Sequence, residues 1–79
     1  MFYYTYVLKS TKNKRLYVGS TSDLKRRLKE HNSGDVEATK HRKPLELVYY
    51  EACVTKKKAQ LREKYFKTGF GRGFLKNRI

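Results

Sequence analysis

Apolar and polar positions alternate in several distinct rhythms along this chain, and each change of rhythm marks a predicted element. Phe2 to Lys9 is rich in aromatic and β-branched residues and predicts a strand. The polar cluster Ser10–Lys14 reads as a turn. Arg15 to Ser20 resumes with Leu16, Tyr17 and Val18, so residues 2 to 20 predict a β-hairpin. Thr21, Ser22 and Asp23 then offer three successive N-cap side chains. The helix behind them runs from Leu24 to about His31 or Asn32 and stops at Gly34. At about 100° per residue, Leu24, Arg27, Leu28 and His31 share one face, while Lys25, Arg26 and Lys29 point elsewhere.

Ser33 to Lys43 is polar, mixed in charge and expected to be an exposed loop. Pro44 leads into a strand in which Leu47, Val48, Tyr49 and Tyr50 form an unbroken apolar run, the pattern of a strand covered on both faces. Thr55 caps a second predicted helix from Lys56 to about Thr68. Gly69-Phe70-Gly71-Arg72-Gly73 is expected to end it, with one or two further turns between Phe74 and Ile79. The order ββαβα plus a C-terminal helical turn predicts an α+β fold in a single domain, a small three-stranded antiparallel sheet flanked by helices.

Charge adds the first hint of a partner. Twenty Lys and Arg against seven Asp and Glu give 79 residues a formal net charge of +13. Such a field attracts polyanions, nucleic acid foremost. No run approaches the roughly 18 apolar residues that span a bilayer, and both helices spend their apolar stripes on the core, so no membrane partner is expected. The N-terminus lacks a basic segment followed by an apolar run of signal-peptide length and reads as mature strand. The single cysteine, Cys53, excludes an internal disulfide, suits a reducing cytoplasm and falls in a strand pattern that predicts a buried, inert thiol.

Several chemistries are excluded by what is missing. The only closely spaced acids are Asp35 and Glu37, in the polar loop, whereas a two-metal nuclease needs carboxylates converging from rigid elements. His31, His41 and one Cys make no zinc site, and no phosphate-binding GxxxxGK[ST] run is present. Glu63 stands out among the remaining acids. On the second helix it shares a narrow arc with Ala59, Phe66 and Phe70, where a carboxylate is costly unless it binds a cation or pairs with a base such as Lys67. In the hairpin, Tyr6 and Tyr17 can neighbour one another. Packing accounts for most such strand tyrosines, yet a hydroxyl near a cation can also lose its proton and act as a base.

The run Tyr4-Thr5-Tyr6, then Tyr17-Val18-Gly19, Asp23-Leu24-Lys25-Arg26-Arg27 and finally Glu63 resembles the GIY-YIG nuclease family, in particular its small single-domain bacterial members. The resemblance covers Tyr4 to about Leu75, and its specific part is YVGSTSDLKRRLKEHNSG. It implies phosphodiester hydrolysis in DNA, in DNA repair or processing, with one divalent cation, Mg²⁺ or Mn²⁺. It further implies Tyr6 as general base, Tyr17 as the hydroxyl supporting it, and Gly19 as the position where a side chain would crowd the site. Arg27 matches the arginine that steadies the phosphate, His31 a histidine assisting proton transfer, and Glu63 the carboxylate that holds the metal. Asn77 is the nearest match to an asparagine found near the site in the family. The glycine and isoleucine of the first triplet are replaced here by Tyr4 and Thr5. Nucleic-acid affinity would rest on Lys25, Arg26, Lys29, Lys56, Lys57, Lys58 and Arg72. The alternative reading is a non-catalytic basic module on the same fold that binds DNA or RNA.

Overall fold

A computed structural model describes all residues, 1–79. Its elements are β1 (Tyr3–Ser10), β2 (Leu16–Thr21), α1 (Leu24–Asn32), β3 (Leu45–Cys53), α2 (Lys56–Phe66) and α3 (Gly69–Lys76). The three strands form one antiparallel sheet in the order β2-β1-β3. The fold is therefore the expected α+β arrangement of a three-stranded antiparallel sheet with helices on both faces.

Side-chain alternation splits the core into two layers. Tyr6 and Leu8 point to one face, where Leu45 and the partly buried Tyr17, Leu24, Leu28 and Leu47 join them. Val7 and Val18 point to the other, against Phe66 and Leu75 of α2 and α3. The central strand β1 is accordingly buried from Thr5 to Leu8. The doubly covered strand is thus β1 and not β3, which lies at an edge and leaves Tyr50 exposed. The unbroken run Leu47–Tyr50 has a different cause. Val7 pairs with Tyr49 and Leu8 with Leu47, so Val48 is the extra residue of a β-bulge. Val48 and Tyr49 consequently both pack on the Val7 layer.

Polar contacts pin the layers together. The fully buried Thr5 hydroxyl donates to the Ala59 carbonyl of α2 at 2.7 Å, a pairing worth about 1 kcal/mol. Asn32 clamps the start of β3 through both amide atoms, accepting from Leu45 N at 2.7 Å and donating to its carbonyl at 3.0 Å. Glu51 receives Arg62 Nε at 2.7 Å and the Tyr49 hydroxyl at 2.7 Å, and the same guanidinium lies over the rings of Tyr65, Phe66 and Phe74. Arg62 beside it holds the Glu51 carboxyl below the usual carboxylate range.

Three expectations are corrected. The glycine run does not end the second helix, which already stops at Phe66, but opens a third: Thr68 caps α3, accepting from Gly71 N at 3.1 Å, and the helix contains all three glycines. A Cβ on Gly71 would sit 2.6 Å from the Phe66 Cα, so close packing of α3 on the end of α2 selects glycine and overrides its low helix propensity. Phe70 thereby leaves the arc of Ala59 and Phe66 and stands 85% exposed. The segment Ser33–Lys43 is not merely a solvated loop, because Val36 and Thr39 are buried and the Arg42 carbonyl accepts from Ser10 Oγ at 2.6 Å. Finally, Cys53 is half-buried at the end of β3 and is free.

Candidate active site

Strand register decides how the two tyrosines meet. Tyr6 pairs across the sheet with Gly19, and Tyr17 with Leu8, so the tyrosines are diagonal neighbours on one face with ring centres 6.5 Å apart. The glycine directly opposite Tyr6 is what gives the phenol room. A Cβ on Gly19 would lie 2.5 Å from the Tyr6 hydroxyl oxygen and 3.2 Å from the Tyr17 ring.

Helix α1 closes over this face. Asp23 is the N-cap, accepting from Arg26 N at 3.1 Å, and this fixes the rotation of the helix. His31 is then carried fully into the core, with Nε2 2.9 Å from the Tyr6 hydroxyl and its ring 5.0 Å from that of Tyr17. Its Nδ1 lies 2.7 Å from Thr39 Oγ1, also fully buried. Arg27, one turn before His31, is half-exposed and pairs with Glu30 through Nη1 at 3.0 Å. Arg26 points outward, with 60% of its side chain exposed.

The electrostatics follow from this crowding. Burial pushes the Tyr6 hydroxyl up, and the nearby Arg27 guanidinium pulls the other way without overtaking it. The charge of Glu63, reaching across from α2, also raises Tyr6. Burial, with Arg27 adding to it, lowers His31 to about 4, so its imidazole is neutral at pH 7. A neutral imidazole bonded to a phenol can orient it or exchange a proton with it.

Tyr6, Tyr17, Gly19, Arg27 and His31 thus converge from three elements. Glu63 stands apart on α2, where its carboxylate receives Lys67 Nζ at 2.9 Å, and it makes no hydrogen-bond or ion-pair contact with that cluster. Asn77 is exposed at the C-cap of α3, and its side chain makes no hydrogen bond. Lys25, Lys29, Lys57 and Lys58 are exposed or half-exposed and form no ion pair. Lys56 lines a second cleft of about 210 Å³ beside Ser20 and Ser22. A larger cleft, about 570 Å³, runs along edge strand β2 under α2 and α3. Arg15, Arg42, Lys67 and Arg72 border it, and Tyr17 belongs both to it and to the Tyr6 cluster. Of those four cations the sequence pointed only to Arg72 as a nucleic-acid contact, and to Lys67 only as a partner for Glu63. Thr39 was missed too, and a threonine in a polar stretch carries no signal that could have marked it.

The model of the GIY-YIG catalytic domain matches residues 2–77. The chain belongs to the GIY-YIG family. Membership points to a nuclease acting on nucleic acid. Among similar proteins is a UPF0213 protein of Bacillus pumilus, 46% identical over 67 residues, 84% of this chain and 67% of that protein. A second, from Clostridium perfringens, is 45% identical over 65 residues, covering 81% of this chain and 69% of that one. The solution NMR structure of a UPF0213 protein from Bacillus halodurans superposes with a TM-score of 0.58 at 32% identity, over 98% of this chain and 84% of the other. No helix is long and apolar enough to cross a membrane.

Proposed function

We propose that this GIY-YIG domain is an endonuclease that hydrolyses phosphodiester bonds in DNA with one divalent cation. The observation carrying this reading is the Tyr6 hydroxyl, held 2.9 Å from His31 Nε2 beside Arg27 and facing a position where only glycine fits. Tyr6 accepts the proton of the attacking water. Tyr17 and His31 hold the phenol in place, and Arg27 supports charge developing on the phosphate.

The donor set fits a single hard cation. Mg²⁺ keeps several waters and takes one or two carboxylates beside a substrate phosphate. Glu63 is one such carboxylate, and nowhere do three His, Cys, Asp or Glu groups gather. Glu63 would hold Mg²⁺ or Mn²⁺, which when bound supplies charge neutralisation at the phosphate. The basic border of the β2 cleft, Arg15, Arg42, Lys67 and Arg72, supplies backbone contacts, and the exposed Lys25, Arg26, Lys29, Lys56, Lys57 and Lys58 add to the positive surface. It also implies weak sequence preference and steep salt dependence.

The test is incubation of the protein with supercoiled and branched DNA, with and without Mg²⁺, beside Tyr6→Phe and Glu63→Ala. Wild type cuts only with the metal, and each variant loses at least about 100-fold in rate. A second reading rests on the Glu63–Lys67 ion pair, which already neutralises the one carboxylate. If wild type cuts no better than its variants on any substrate, RNA included, yet binds with strong salt dependence, the domain is a non-catalytic binding module.

A further inference from the structure

The buried row Thr39–His31–Tyr6 contains three exchangeable protons and two hydrogen bonds, at 2.7 and 2.9 Å. One hydroxyl or ring proton in the row must therefore lack an acceptor within it. If Nδ1 of His31 carries the ring proton, it donates to Thr39, Tyr6 donates to Nε2, and the spare proton sits on Thr39. That hydroxyl is fully buried and has no partner except His31. An aliphatic alcohol cannot ionise, so the cost of an unpaired buried donor there would be permanent. If Nε2 carries the proton, Thr39 donates to Nδ1, Nε2–H donates to Tyr6, and the spare proton sits on the phenol. Only there can it be given up.

We propose that Thr39 is a positioning residue that fixes His31 as the Nε2–H tautomer, so that the Tyr6 oxygen accepts a hydrogen bond and its own proton is the one released. The released proton goes to solvent water. The tyrosinate, held by Nε2–H and by Arg27, then takes one proton from the attacking water; the hydroxide so formed attacks the phosphorus as the bond to the leaving sugar oxygen breaks, and that oxygen takes its proton from solvent water. His31 keeps its proton throughout and serves as a donor, not as the terminal base. The charged and titratable groups facing this row are Arg27 and Glu30 from α1, Tyr17 from β2 and Glu63 from α2. Arg27 opposes a second proton on His31, which agrees with a ring that stays neutral.

The inference rests on the nuclease reading only in its last step. The tautomer itself is an equilibrium property, measurable without nucleic acid or metal. In ¹⁵N-labelled protein at pH 7, long-range ¹H–¹⁵N correlation is expected to show an unprotonated Nδ1 and a protonated Nε2 for His31, with exposed His41 as internal reference. Thr39→Val keeps the shape and removes the hydroxyl. It is expected to turn His31 into a tautomer mixture and to raise the Tyr6 titration midpoint by about one pH unit, a tenfold loss of tyrosinate. Thr39→Ser is expected to restore both. A wild-type His31 protonated on Nδ1 overturns the proposal, as does a Thr39→Val protein with an unchanged tautomer and Tyr6 midpoint. Should Thr39→Val fail to fold, the wild-type tautomer alone decides. A domain that shows the expected tautomer but cuts no DNA would retain the row and lose the nuclease reading instead.

Discussion

Gly19 lies directly across the sheet from Tyr6, and its missing side chain is the space that the Tyr6 hydroxyl occupies. Gly19→Ala would bring a methyl group to 2.5 Å from that oxygen and 2.7 Å from the ring carbon bearing it. The phenol must move, and it is 2% exposed. Overpacking of this kind costs about 1–3 kcal/mol. A displacement near 1 Å in a reacting group costs on the order of 100-fold in rate. Cleavage assays and thermal unfolding on the same preparation check this. An alanine variant as active as wild type would show that the Tyr6 oxygen does not act from where it stands.

Adjacent arginines on α1 should differ sharply. Arg27 faces Tyr6, whereas Arg26 is turned to solvent and reaches Glu30 only at 3.8 Å. Arg27→Ala is expected to lower the rate about 100-fold or more and to raise the Tyr6 titration midpoint, because Arg27 is what pulls that hydroxyl downward. Arg26→Ala should change the rate by less than about threefold and reduce only the salt slope of binding. Similar losses in both variants would assign Arg27 to general charge.

Acid should weaken the fold through His31. Its pKa is lowered from 6.5 in the unfolded chain to about 4 in the folded one. Between those values the unfolded state binds the proton and the native state does not, so stability drops as pH falls through that window and levels off below it. At about 1.36 kcal/mol per unit, the loss amounts to about 3 kcal/mol at most. Urea titrations between pH 7 and pH 4 measure it, with His31→Gln expected to flatten the slope. Glu51, held low by Arg62, adds a separate loss in more acidic solution as it protonates. A His31→Gln protein with the wild-type pH profile would remove His31 as the cause.

The glycines of α3 should respond in opposite directions. Gly71→Ala drives a Cβ into the backbone of Tyr65 and Phe66, which cannot swing aside, and a loss of at least about 2 kcal/mol is expected. Gly73 has nothing within 4 Å of where a Cβ would lie. Gly73→Ala should therefore stabilise the helix by about 0.5–1 kcal/mol. Equal effects at the two sites, read by chemical denaturation, would contradict the close approach of α3 to the end of α2.

Period-two and helical spacing were enough to read the hairpin, the face shared by Leu24, Arg27, Leu28 and His31, and the nearness of Tyr6 to Tyr17. These are local consequences of where side chains point. The bulge at Val48 was not legible, because an unbroken apolar run looks the same whether a strand is covered twice or slips one residue. Nor was α3, since a glycine-rich stretch becomes helical only when a neighbouring helix comes too close for side chains. Thr39 and the cleft cations Arg15, Arg42 and Lys67 depend on how a polar segment and a strand edge fold back, which composition does not encode.

Only 15 of the 79 residues are buried, and Tyr6, His31 and Thr39 are three of them. The row that would move protons is therefore also part of what excludes water from the interior. A larger protein can keep its reactive groups on loops and its stability in a separate scaffold. Here a screen for folding and a screen for cutting would select many of the same positions, and neither property could drift far without the other.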